Sequence, residues 1–213
     1  MNIDNAARIE KIVTSGTFHL DGGSWDVDNN VWLLGDDEQV LVIDAAHDAE
    51  AIAAAASGRE VVAIVCTHAH DDHVNAAPAL SAKVGAPVLL HPADDVLWRL
   101  AHADARPTAD LADGDALRVA GVDVRVLHTP GHAPGAVCLH VPELGVVFTG
   151  DTLFQGGPGA TGRSHSDFGT IVVSIRERLL TLPPETVVHT GHGADTTIGE
   201  ESPHLDEWIA RGH

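Results

Sequence analysis

The segment Thr67-His68-Ala69-His70-Asp71-Asp72-His73 follows without a break on residues 61–66 (VVAIVC), and this junction constrains the chain more than any other feature. A continuous apolar run of that length and composition reads as a strand buried on both faces. Alternate residues of an extended segment project to one side, so His68 and His70 can aim two imidazoles at one point. Asp72 and His73 fall where the next helix is predicted to begin. There the chain turns, and a second pair of side chains can face a neighbouring point.

Three more polar residues recur in the same setting. His132 lies in TPGH (129–132) after a predicted strand at 123–128, Asp151 in FTGD (148–151) after 145–149, and His192 in TGHG (190–193) after 186–190. Each stands at the carboxyl end of an apolar strand beside glycine, the edge of layered α/β folds where functional loops converge. Imidazole and carboxylate ligands suit zinc, iron or manganese. Five histidines and two aspartates exceed the needs of one tetrahedral ion. They fit two divalent ions about 3.5–4 Å apart with one carboxylate bridging. Two such ions, opposed by Asp72, Asp151 and a bridging hydroxide, leave about one positive charge to polarise a carbonyl. Asp72, His73 and Asp151 are therefore the expected catalytic residues. Asp71 reads as exposed or as a helix N-cap. Asp44 and His47 either support the ligands or form an ordinary turn. His19, His102 and His213 read as ordinary surface or core residues.

At 213 residues and 44% apolar composition, the chain is expected to form one domain, 1–213. Strands are predicted at 31–34, 40–43, 61–66 and 87–92, and near 117–119, 123–128, 136–141, 145–149 and 186–190. Helices are predicted at 49–57, 73–84, 94–102, 168–181 and 203–211. Strands and helices mix in both halves without a linker, which predicts an α/β fold of sheets covered by helices. Cys66 and Cys138 sit in apolar runs and read as buried small hydrophobes. The net charge of −19 opposes nucleic-acid binding. No stretch approaches the roughly 20 apolar residues of a membrane span. The N-terminal residues lack a secretory pattern, so a cytoplasmic location and a small-molecule substrate are expected. Monomer and homodimer both remain open.

The run His68 to His73 resembles the H-x-H-x-D-H signature of the metallo-β-lactamase superfamily, and His132, Asp151 and His192 resemble its later ligand motifs in order and approximate spacing. The resemblance covers about residues 30–201. It implies a four-layer αβ/βα sandwich of two pseudo-repeated halves with metals at one edge. His68, His70 and His132 would hold the first metal, Asp72, His73 and His192 the second, and Asp151 would bridge them. Within the superfamily the chain is similar to hydroxyacylglutathione hydrolases (glyoxalase II) and their short relatives, through TPGHAPGAVCLH (129–140), FTGDTLFQGG (148–157) and GHGADTTIGEE (191–201). That similarity implies hydrolysis of an acyl or hydroxyacyl thioester of a glutathione- or mycothiol-type thiol by a metal-bridging hydroxide. Two departures stand out. The C-terminal helical domain that supplies glutathione contacts in the long enzymes has no counterpart before His213. The segment 156–168 is longer than expected, and Phe154, Arg163 and His165 in loop 154–168 are the candidate substrate contacts. Arg163 could pair with a substrate carboxylate, or be a solvated surface residue. The alternatives are a persulfide dioxygenase with one iron on His68, His132 and Asp151, a lactonase or β-lactamase-like hydrolase, and a non-catalytic metal-binding protein.

Overall fold

The computed structural model describes residues 6–212; His213 lies outside them. A long hairpin, β1 (Arg8–Leu20) and β2 (Gly23–Gly35), opens the fold. Then follow β3 (Gln39–Ile43), α1 (Ala49–Ala55), β4 (Glu60–Val65), α2 (Asp71–Val74), α3 (Ala77–Val84), β5 (Val88–Leu90), α4 (Asp95–Ala101) and β6 (Ala109–Asp110). The second half comprises β7 (Ala116–Val119), β8 (Val122–His128), β9 (Val137–Val141), β10 (Val146–Gly150), the short pair β11 (Leu153–Phe154) and β12 (Gly157–Pro158), and α5 (Phe168–Ser174). It closes with β13 (Val187–Thr190), β14 (Thr196–Thr197), α6 (Ile198–Glu201) and α7 (Leu205–Arg211).

One sheet has the order β1-β2-β3-β4-β5-β6 and the other β14-β13-β10-β9-β8-β7. The period of two along a strand divides its side chains between two cores. Val31, Leu33, Val40 and Val42 pack toward Ile52, Leu80 and Trp98 on the helical side. Trp32, Leu34, Leu41 and Ile43 pack between the sheets against Val126, Leu139 and Phe148. The far face of the second sheet gives Val147 and Val188 to a third core with Ile171, Leu179 and Trp208. The layers run helices, sheet, sheet, helices, as the αβ/βα expectation requires. Buried on both faces, β3, β4 and β10 read as unbroken apolar runs.

Three local readings change. The helix predicted over 73–84 is two, because the chain turns at Asn75 and Ala76, and Pro78 can start a helix but not continue one. The Ala76 amide donates instead to Ala45 O at 3.1 Å. The helix predicted over 168–181 ends as α5 at Ser174 and continues as a wider π turn, Ile175–Leu179. The strand predicted at 31–34 is only the end of the 13-residue strand β2, which pairs along its whole length with β1. Asp21 and Gly22 turn this hairpin with φ of 52° and 78°, the left-handed pair that a two-residue Asp-Gly turn requires.

Candidate metal centre

All seven expected ligands lie at one edge of the sandwich, beyond the ends of β4, β8, β10 and β13. His68 and His70 follow β4, and Asp72 and His73 are carried by the single turn of α2. His132 follows β8, Asp151 follows β10 and His192 follows β13. Gly191 lets two of these loops meet: a Cβ there would collide with the Asp151 carboxylate.

Ligand atoms of His68, His70 and His132 lie within 4.8 Å of one another, and so do those of Asp72, His73 and His192. His70 Nδ1 is 3.1 Å from His68 Nε2 and 3.0 Å from His132 Nε2. His73 Nε2 is 3.1 Å from His192 Nε2. Asp151 reaches both groups, its Oδ2 lying 3.6 Å from His132 Nε2 and 3.5 Å from His192 Nε2.

The outer ring nitrogens show what the inner ones must be. His132 Nδ1 donates to Ala160 O (2.8 Å) and His192 Nδ1 to Asp28 O (2.7 Å), since a carbonyl can only accept. His73 Nδ1 donates to Asp44 Oδ2 (3.0 Å). Thr67 Oγ1 donates its proton to Asp44 Oδ2 (2.8 Å), so His68 Nδ1, 3.2 Å away, donates to Thr67. Four imidazoles therefore present Nε2 inward. Facing lone pairs about 3 Å apart repel, and so do facing N–H groups; a metal ion between deprotonated ring nitrogens relieves the clash by taking up their lone pairs. Asp151 Oδ1 is also buried without a hydrogen bond among the described residues. The residues present fit a pair of metal ions.

The two groups differ electrostatically. Burial and then the neighbouring His73, His70 and His132 push His68 far down, and burial holds His70 down at about 3. These rings are neutral, with lone pairs free for a metal. In the second group burial again works against charge, but carboxylates prevail. Burial lowers His192 and Asp151 and Asp72 raise it, to about 10; the same carboxylates and Asp44 hold His73 well up. Asp151 stays ionised despite burial because His73 and His192 face it, and Asp72, held by His73 and His192, sits at about 2. Without metal, protons occupy the place of the second ion.

Asp44 and His47 prove to be supports rather than ordinary turn residues. Asp44 accepts from Thr67 N (2.7 Å), Thr67 Oγ1 and His73 Nδ1, so it orients a ligand of each group. His47 Nε2 meets Asn29 Oδ1 (2.9 Å), and Asn29 Nδ2 donates to Asp72 Oδ2 (3.0 Å). Asp44 and His47 both have left-handed backbones, φ 58° and 61°, a local cost that these networks offset. Asp44→Ala is expected to weaken metal affinity about 10–100-fold, read by competition with a chromophoric chelator. Unchanged affinity would contradict the orienting role.

Asn29 and Asp94 join these supports, beyond the residues that the sequence pattern marks. Asp94, wholly buried, accepts from Ala69 N (2.8 Å) and from Gly135 N, joining the loop of His68 and His70 to that of His132. Burial raises its carboxyl to about 6 against the pull of those two amides. Its signal lay in HPADD at 91–95, just past an apolar strand. Asp94→Ala orphans two buried donors and is expected to cost about 2–4 kcal/mol in urea unfolding. A loss under about 0.5 kcal/mol would show that the two loops hold without it.

Asp71 is neither exposed nor a cap: His70 occupies the cap position, and Asp71 accepts from His19 N at 3.0 Å and pairs with its ring at 2.9 Å. His19 thus pins β1 to α2. His102 meets Val74 O at 2.8 Å. Cys66 and Cys138 are free and buried. Of the three loop candidates, Arg163 lines the cavity over the ligands, with Phe18 and Val27 of the hairpin. Phe154 is half-buried, its ring 6.3 Å from that of His192. His165 is exposed and faces a separate groove with His19 and Asp21.

Residues 25–192 match the metallo-beta-lactamase superfamily. Hydroxyacylglutathione hydrolase GloC of Haemophilus influenzae is 44% identical over 89 residues, 42% of this chain and 42% of that protein. The alignments to the first curated relatives span about half of their length or less. Among solved structures, TTHA1623 in a di-iron-bound form is 37% identical, covers 83% of this chain and 93% of that one, and superposes with a TM-score of 0.74. The BLEG-1 B3 metallo-beta-lactamase is 31% identical over 90% of this chain and 98% of its own, with a TM-score of 0.72. Two stacked sheets, strand-end ligands in two adjoining groups and a match across most of the chain agree: the chain belongs to the metallo-beta-lactamase superfamily.

Proposed function

We propose that this chain is a binuclear metal-dependent hydrolase acting on thioesters of a low-molecular-weight thiol of the glutathione or mycothiol type. The observation that carries the binuclear reading is the Asp151 carboxylate, which faces both ligand groups at once. His68, His70 and His132 would hold one ion, and Asp72, His73 and His192 the other, with Asp151 between them. Two ions of this kind, zinc with iron or manganese as substitutes, lower the pKa of water and polarise a carbonyl. The similarity to GloC supports the thioester class.

The protein's own groups supply orientation and exclusion of water. Asp44 fixes His68 through Thr67 and fixes His73 directly, while Asn29 holds Asp72. Phe18 and Val27 wall the cavity on the hairpin side and Ala160 on the loop side. A thiolate leaves readily, so a strong general acid is unnecessary. The cavity holds about 100 Å³, well under the roughly 300–1,000 Å³ of sites that engulf a drug-sized ligand. The acyl end and scissile carbonyl enter, and the bulk of the thiol carrier stays outside.

The test combines elemental analysis of untagged protein with a panel of acyl-glutathione and acyl-mycothiol thioesters, lactones and a β-lactam. About two divalent ions per chain with thioesters preferred is the expected result. A single iron with oxygen uptake on a persulfide would replace this reading with the dioxygenase.

A further inference from the structure

Arg163 stands in the wall of the metal cavity in an unusual state. Its guanidinium carbon lies 3.9 Å from the Trp25 ring centroid and 5.1 Å from that of Phe18. The two rings themselves are 5.6 Å apart. Its Nη1 is buried and has no hydrogen-bond partner among the described residues. An orphaned donor on a charged group is strongly disfavoured, and this chain has 31 acidic side chains against 12 basic ones with which to satisfy it. The backbone meanwhile holds the residue firmly. Ser166 Oγ accepts from Arg163 N (3.1 Å) and donates to Arg163 O (2.7 Å), while Ser164 N donates to Asp21 Oδ2 (3.0 Å) in the hairpin turn. Loop and hairpin together hold the cation in place, and Asp21, the carboxylate that feels its charge, is engaged by the Ser164 amide.

A guanidinium lying on aromatic rings keeps its edge N–H groups free, and that edge matches a carboxylate. The walls beside it, Phe18 and Val27, are apolar and strengthen such a pair by keeping water away. We infer that Arg163 docks a carboxylate carried by the part of the substrate that enters the cavity, so that the enzyme prefers acidic thioesters. This deepens the thioesterase reading and rests on it. The carboxylate can sit on the acyl side of the scissile bond or on the adjoining thiol side. The small cavity puts either within a few bonds of the carbonyl.

The experiment uses metal-loaded protein, wild type and the variants Arg163→Gln and Arg163→Lys, with metal content and Tm as folding controls. Steady-state kinetics compare a succinyl thioester (acid on the acyl side), a butyryl thioester of 3-mercaptopropionate (acid on the thiol side) and the butyryl thioester of propanethiol (no acid). Wild type is expected to favour one acidic substrate by roughly ten- to a hundredfold in kcat/KM, mostly through KM. Arg163→Gln should erase that preference, read as the acidic-to-neutral ratio of kcat/KM within each protein, with Arg163→Lys between the two. Whichever acidic substrate is preferred locates the carboxylate. Equal rates for all three in wild type, or an acid preference that survives Arg163→Gln, would overturn the inference. If no thioester is turned over, the thioesterase reading fails, and the dock is then judged by calorimetry. 3-Mercaptopropionate should bind wild type at least about tenfold tighter than propanethiol does, and the two should bind Arg163→Gln alike. Equal binding to wild type, or unchanged discrimination in the variant, would overturn it.

Discussion

Asp151→Asn is expected to lower kcat/KM at least about a thousandfold, roughly 4 kcal/mol of transition-state stabilisation, and to reduce metal content from about two ions per chain to at most one. The variant keeps the shape of the side chain and removes its charge. Asp151 is the carboxylate that both groups share, with one oxygen 3.6 Å from His132 Nε2 and 3.5 Å from His192 Nε2 and the other 3.3 Å from His73 Nε2. An amide presents one weaker acceptor and a nitrogen that cannot ligate. The fold should survive, because Asp151 stands in a loop after β10 and outside the three apolar cores. Thioester kinetics with elemental analysis check this. Two ions retained with activity within tenfold would show that the two ion sites do not depend on a shared carboxylate.

Removal of the metals has the second large effect, and its size depends on pH. Chelation is expected to bring hydrolysis to background and reloading to restore it. Each ion present about a thousandfold above its Kd stabilises the fold by about 4 kcal/mol, so Tm should fall by at least about 10 °C when both leave. In the metal-free protein His192, at about 10, and His73, also raised, bind protons more tightly folded than unfolded. Their contribution is fully present below the ordinary histidine pKa near 6.5 and is lost as pH rises through about 10. Metal binding must displace those protons and so strengthens as pH rises. The Tm gap between loaded and stripped protein should therefore widen from pH 6.5 to 9, measured by scanning calorimetry with and without chelator. A gap that narrows over that range would place the protons elsewhere.

Much of the site was legible in the sequence because the candidate ligands come in the loops that follow apolar strands, with Asp72 and His73 on the short helix after the first. The strand fixes where its last residue lies and which way the next ones project, so 61–66 followed by His-x-His already implied two convergent imidazoles. The β-rich layers were legible for the same reason: β3, β4 and β10 are buried on both faces and read as apolar runs. The first hairpin was not, because much of it projects beyond the core. Val13 is 57% exposed and Trp25 41%, so no alternation marks the strands, although Asp21-Gly22 signalled the turn.

What the sequence by itself determined was the set of seven candidate ligands and the layered fold that gathers them. What only the tertiary structure decided was which groups hold the ligands in place. Asp44 touches Thr67 and His73, 23 and 29 residues away. Asn29 reaches Asp72 across 43 residues and Asp94 reaches Gly135 across 41. A supporting carboxylate or amide is chosen by proximity after folding, and a single polar residue in a loop carries no period that announces it. Arg163 shows the same limit: its sequence context left it between a substrate contact and a solvated cation, and the rings of Phe18 and Trp25, from a hairpin more than a hundred residues earlier, put it in the cavity wall.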